Sequence, residues 1–174
     1  MRPRAFIAVP AVPAVVAALL LTAPQSLAAT RPSQPVRCAE QVLAVRARAA
    51  LADPTVVRLR VTNRGVRACA VDRAPTVTFK GLDGAALPVP TGGSGGYRLA
   101  AGGTAYADIR TVGDPADPEV RRVDALGVAA SAAQSGRSFT AARLGTGRRI
   151  LVWEPVTTWW QPSAAAADRA IGLG

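Results

Sequence analysis

Apolar and polar positions alternate with a period of two along much of the chain, most clearly over residues 56–90. Val57, Leu59 and Val61 share one face there and Arg58 and Arg60 the other, which is the signature of a half-buried strand. A turn at Asn63-Arg64-Gly65 leads to a strand around Cys69. A further strand follows Pro75, with Val77 and Phe79 alternating against Thr76, Thr78 and Lys80. Asp83-Gly84 marks a hairpin turn, after which Leu87 and Val89 continue the apolar face. Pro88 and Pro90 place that segment at a sheet edge, because proline cannot donate to a ladder on both sides.

Upstream, residues 42–49 set Val45, Ala47 and Ala49 against Arg46 and Arg48, and run through Asp53-Pro54 into residues 56–62. A hairpin of these two strands gathers Arg46, Arg48, Arg58 and Arg60 on one outward face. Like charges directly opposite repel, so the arrangement requires diagonal placement or an acidic neighbour. Downstream, residues 97–99 and 104–112 read as strands, with Ala105, Ala107 and Ile109 opposite Tyr106, Asp108 and Arg110. Residues 123–130 and 148–152 read as two more. The stretch 131–147 carries no clear period, and its alanines suit a short helix. The tail, 161–174, reads as frayed or disordered. Short strands with Gly and Pro turns every eight to twelve residues argue for an all-β, antiparallel sandwich.

The N-terminal segment changes the compartment. Arg2 and Arg4 precede a nearly unbroken apolar run from Ala5 to Leu21, and Ser26-Leu27-Ala28 supplies small residues before Ala29. This is the form of a secretory signal peptide. A membrane anchor is the rival, but Pro10 and Pro13 weaken a span and the small-residue site suits cleavage. The expected organisation is a signal peptide over 1–28, a Pro-rich linker over 29–37, a β-sandwich over 38–160 and a flexible tail over 161–174. No membrane span remains after cleavage, and the product is secreted or associated with the cell envelope.

Export also sets the expectation for Cys38 and Cys69, which is a disulfide. Redox pairs usually sit at CxxC spacing, and zinc wants four ligands, so neither competes well. Residues sharing one face of the 42–62 hairpin have position numbers with an even sum, and the cysteines sum to 107. The bridge therefore spans a bulge near the 63–65 turn or ties the strand to another sheet.

Charge and chemistry add less. The formal charge is +10, from 21 basic and 11 acidic side chains, which favours attraction to polyanions. Heavy use of arginine beside a single lysine, Lys80, also has the look of a high-GC genome. Histidine is absent, and with it the Ser-His-Asp and Cys-His nucleophile machinery. A carboxylate-based glycoside hydrolase is the enzymatic rival, with Glu154 beside Trp153 as its acid. The glycine-rich 91–96 loop lacks the Lys-Ser/Thr of a phosphate cradle. Asp114, Asp117 and Glu119 cluster in a loop without EF-hand spacing. No cofactor, no resident metal and no nucleic-acid partner is expected.

Two surfaces stand out as binding candidates. One is the Arg46, Arg48, Arg58 and Arg60 stripe, for an anionic polymer. The other is Trp153, Trp159 and Trp160, for glycans, since tryptophans stack on sugar rings; core packing is the plainer use of such residues. In an extended chain Trp153 and Trp159 share a face and Trp160 opposes them. A third possibility is a purely structural domain that docks another envelope protein on an edge strand.

The run Cys38-Ala39-Glu40-Gln41-Val42, then RLRVTNRGVRACAV, APTVTFKGLDGAALPV and YRLAAGGTAYADI, resembles the exported high-GC bacterial family known as domain of unknown function 4232. The matching positions are Thr62, Asn63, Gly65, Cys69, Pro75, Val77, Asp83, Gly84, Leu99, Ala100, Gly102, Gly103 and Ala105. The likeness is close over residues 38–111 and looser over 124–159, where the second cysteine pair of many members is missing. It implies an immunoglobulin-like β-sandwich, secreted or surface-associated, and it carries no catalytic residues.

Overall fold

The computed structural model describes residues 36–173. The proposed signal peptide and all but the last two residues of the linker lie outside them. The chain is all-β, with twelve short strands and two short helices among the described residues.

The largest sheet is built from β1 (Leu43–Ala49), β2 (Val56–Asn63), β7 (Thr104–Arg110), β12 (Val156–Thr158) and β5 (Leu87–Val89), in that spatial order. Its pairs are antiparallel except β12–β5. A second sheet orders β10 (Arg137–Thr140), β9 (Ala125–Ala129) and β4 (Thr76–Phe79). Two ribbons complete the set: β3 (Cys69–Asp72) with β6 (Gly96–Leu99), and β8 (Arg121–Val123) with β11 (Ile150–Val152). One apolar core gathers side chains from all four. It includes Val57, Leu59 and Val61 of β2, Ala105, Ala107 and Ile109 of β7, Val77 and Phe79 of β4, and Leu126 and Val128 of β9. These are the faces that the period-two pattern selects.

Asn63 explains why the 62–65 segment takes the form it does. Its side chain is fully buried. Oδ1 accepts from Gly65 N at 2.9 Å, while Nδ2 donates to Arg67 O at 2.8 Å and Ala100 O at 3.0 Å. Thr62 Oγ1 meets Thr104 Oγ1 at 2.9 Å beside it. One amide thus ties the β2–β3 turn to the β6–β7 turn. Asn63→Ala would leave Arg67 O and Gly65 N unpaired and strip Ala100 O of one of its two donors, so we expect it to cost about 2 kcal/mol in urea unfolding.

Several sequence expectations are revised. The 131–147 stretch is a loop, the strand β10 and one helical turn, α1 (Ala141–Leu144), capped by Thr140 Oγ1. Its loop is held from outside: Glu40 accepts from Ser135 N and Gly136 N, and Asp72 accepts from Ala132 N. β5 is an edge strand, as its prolines require, but Leu87 is 65% exposed and does not extend the core face. The chain leaves β4 after the Thr78–Ala85 bridge and joins β12 of the other sheet.

The tail is the largest departure. Instead of fraying, it forms α2 (Ala164–Ile171), packed on β7 and β12 with Ala167 and Ile171 buried. Ser163 Oγ caps its first turn and Gly172, at φ 83°, closes its last. Ile171 covers Val56, the one outward-facing valine of β2. An alanine run too short to be helical alone becomes stable once the sheet buries one side of it.

Candidate functional site

Cys38 and Cys69 form the disulfide. Of the two arrangements left open by position parity, the structure has the second. Cys38 precedes β1, on a segment that bridges Ala70 of β3 in parallel, with Cys38 N donating to Ala70 O at 2.9 Å. The bond therefore ties the N-terminal strap to the β3–β6 ribbon and not to the β1–β2 hairpin. Both cysteines are core members.

The tryptophans are not brought together. Glu154 has φ 44°, and Pro155 follows it, so residues 153–160 do not run as one extended strand and the alternation expected for them fails. Trp153 bridges Val112 at one end of β7, whereas Gln161 bridges Tyr106, six residues earlier on that strand. The two ends are separated by roughly 15–20 Å. Trp160 is 3% exposed and part of the core. Trp159 lies under the Arg73 guanidinium, 4.0 Å from its ring centroid, and a Cβ on Gly93 would come within 2.8 Å of its Cζ2. No shared stacking platform results.

The arginines are assembled as the hairpin requires. The β1–β2 register sets Arg46 opposite Arg60 and Arg48 opposite Arg58. On the other side of β2, Arg58 faces Asp108 and Arg60 faces Tyr106 of β7. Together with Ala164 of α2 these residues line an open groove of about 390 Å³. The acidic neighbour demanded by the like-charge pairing comes from the tail. Asp168 Oδ1 accepts from Arg58 Nε at 2.9 Å and Nη2 at 2.5 Å. Among the described residues no carboxylate pairs with Arg46, Arg48 or Arg60.

Asp108 is the residue that sequence reasoning placed on the outer face without assigning it a role. It is 1% exposed, because α2 and β12 cover it. Burial pushes its carboxyl up to about 7, the adjoining Asp168 carboxyl adds to the shift by hydrogen bond and by charge, and Arg58 opposes it. Its Oδ2 has no protein donor, which further favours the protonated form. The in-register position opposite Arg58 was the available signal for Asp108. For Asp168 it was the Ser163…Gly172 bracket around an alanine run.

The remaining candidates serve local structure. Asp114 and Asp117 each accept a hydrogen bond from the backbone two residues on, forming turns. Glu154 is exposed at its strained position. Among the described residues no helix is long and apolar enough to cross a membrane.

A family model described as "Domain of unknown function (DUF4232)" matches residues 38–160. That span holds the disulfide, the four arginines and Asp108, and stops short of α2. No curated protein and no solved structure matches the chain.

Proposed function

The chain belongs to the DUF4232 family, and from that premise we propose that it is an exported, non-catalytic β-sandwich module of immunoglobulin-like type that binds anionic polymer at the cell envelope. The observation that carries this reading is the direct apposition of Arg46 and Arg60 across β1–β2, with no acid between them. Facing guanidinium groups repel, and an anion seated between them reverses the sign of the interaction. Arg48 lies alongside, so a linear ligand meets successive positive charges. Export is supported by the disulfide, which forms and persists in oxidising compartments.

A glycan platform draws no support from the scattered tryptophans. The hydrolase reading draws little from the acids. Its acid, Glu154, is not among the residues that line the groove, and the groove's own acids, Asp108 and Asp168, both flank Arg58.

Chromatography on immobilised inorganic polyphosphate tests the proposal. The protein with Arg46, Arg48 and Arg60 all changed to Gln should elute at clearly lower salt than the wild type, because each lost contact reduces counterion release. Changing the three exposed arginines Arg121, Arg122 and Arg148 to Gln should shift elution less. Equal shifts for the two sets, or retention that ignores salt, would refute the groove as the binding site.

A further inference from the structure

This inference rests on the groove being an anion site and concerns how that site is regulated. We propose that the groove holds fixed-charge anions more tightly in mildly acidic than in mildly alkaline medium, with the buried carboxyl of Asp108, set beside the Arg58–Asp168 ion pair, acting as the switch.

Asp108 lies opposite Arg58 across β2–β7, but that guanidinium is already engaged by Asp168, and Asp108 is buried with no donor to its Oδ2. A second carboxylate beside one cation in a covered site does not ionise cheaply. Of the arginines that line the groove, Arg46 and Arg48 on β1 and Arg58 and Arg60 on β2, Arg58 is the one that favours ionised Asp108, and it is shared with Asp168. On β7, Arg110 is engaged by Asp53 and by Ile171 O, and Tyr106 presents a phenol. β12 presents Thr157 and Thr158, whose hydroxyls bond the Asp108 backbone. α2 presents Asp168. Asp108 therefore keeps its proton until the medium nears neutrality, consistent with its elevated carboxyl.

Loss of that proton places a second negative charge beneath the arginines. A ligand anion then meets a weaker net positive field. One added charge at the floor of a partly screened groove corresponds to about a five- to tenfold loss of affinity. The usual titrants of this pH range are missing: the chain has no histidine and both cysteines are oxidised. A pH response between 5.5 and 8.5 therefore has few other possible sources within the domain.

Isothermal titration with dextran sulfate, whose charge is constant over this range, provides the test at fixed ionic strength. The wild type should bind about five- to tenfold more tightly at pH 5.5 than at pH 8.5. Asp108→Asn should bind at both pH values as the wild type does at pH 5.5. Wild-type binding that is tight but independent of pH would overturn the switch and leave the anion site standing. An unchanged pH response in Asp108→Asn would likewise overturn it. Absence of binding at both pH values would remove the site and the switch together.

Discussion

Asp108→Asn should make the protein more stable at pH 8 than the wild type, while leaving the two nearly equal at pH 4. The Asp108 carboxyl is raised from 3.8 to about 7 in the folded state, first by burial and then by Asp168. Between those two values the native protein holds a proton that the unfolded chain has released. Stability therefore falls as pH rises from about 4 to about 7, and the loss is complete above that. Its size is on the order of 2–4 kcal/mol, the energy equivalent of the shift discounted for partial screening. Asparagine cannot ionise, and its amide can donate to Asp168, so the variant should show no such decline. Asp53 acts in the opposite direction and elsewhere on the scale. Its carboxyl is lowered by the Thr55 hydrogen bonds and by Arg110, so its contribution is present above about pH 4 and is lost in acid. Urea unfolding at pH 4, 6 and 8 separates the two groups. Parallel pH profiles for wild type and variant would show that Asp108 is not the titrating residue.

Removal of the disulfide should cost about 3–4 kcal/mol, the chain-entropy value for a loop of this length. The cysteines are 31 residues apart in sequence. The loop they close contains the β1–β2 hairpin, so its free end gains freedom in the unfolded chain once the bond is gone. In the native state the strap retains its backbone bonds to Ala70, the Gln134 Nε2 bond to Cys38 O at 3.1 Å, and the Glu40 bonds to the 135–136 amides. The double variant Cys38→Ala, Cys69→Ala is therefore expected to fold, with a lower urea midpoint. Reductant should lower the wild-type midpoint to a similar level and leave the variant unmoved. A wild-type midpoint indifferent to reductant would contradict the assignment of that stability to the bond.

What the sequence made legible follows from how local each signal is. β2 and β7 alternate cleanly because one face of each packs into the core and the other meets solvent or a thin cover. The β1–β2 register, and with it the arginine face, followed from two alternating runs and a single Asp53-Pro54 turn. Edge placement of β5 followed from Pro88. The signals that failed were those that depend on distant partners. Leu87 looked like a core residue until the chain switched sheets. Trp153 and Trp159 looked coplanar until the backbone at Glu154 broke the run. Asp108 looked like an ordinary outward carboxylate because nothing local announces that α2 closes over it. The tail was misread for the same reason: a helix of eight residues has little stability alone, and its docking depends on Arg58 and Val56, more than a hundred residues away in sequence.

Where an anion sits decides between a built site and general charge attraction. Titration of isotope-labelled protein with inorganic polyphosphate, followed by amide and arginine Nε resonances, locates it directly. The expected result is a saturable set of shifts confined to Arg46, Arg48, Arg58, Arg60 and Tyr106, with their neighbours on α2. Shifts spread evenly over Arg121, Arg122, Arg148 and the other surface arginines would show general charge attraction and contradict a built site.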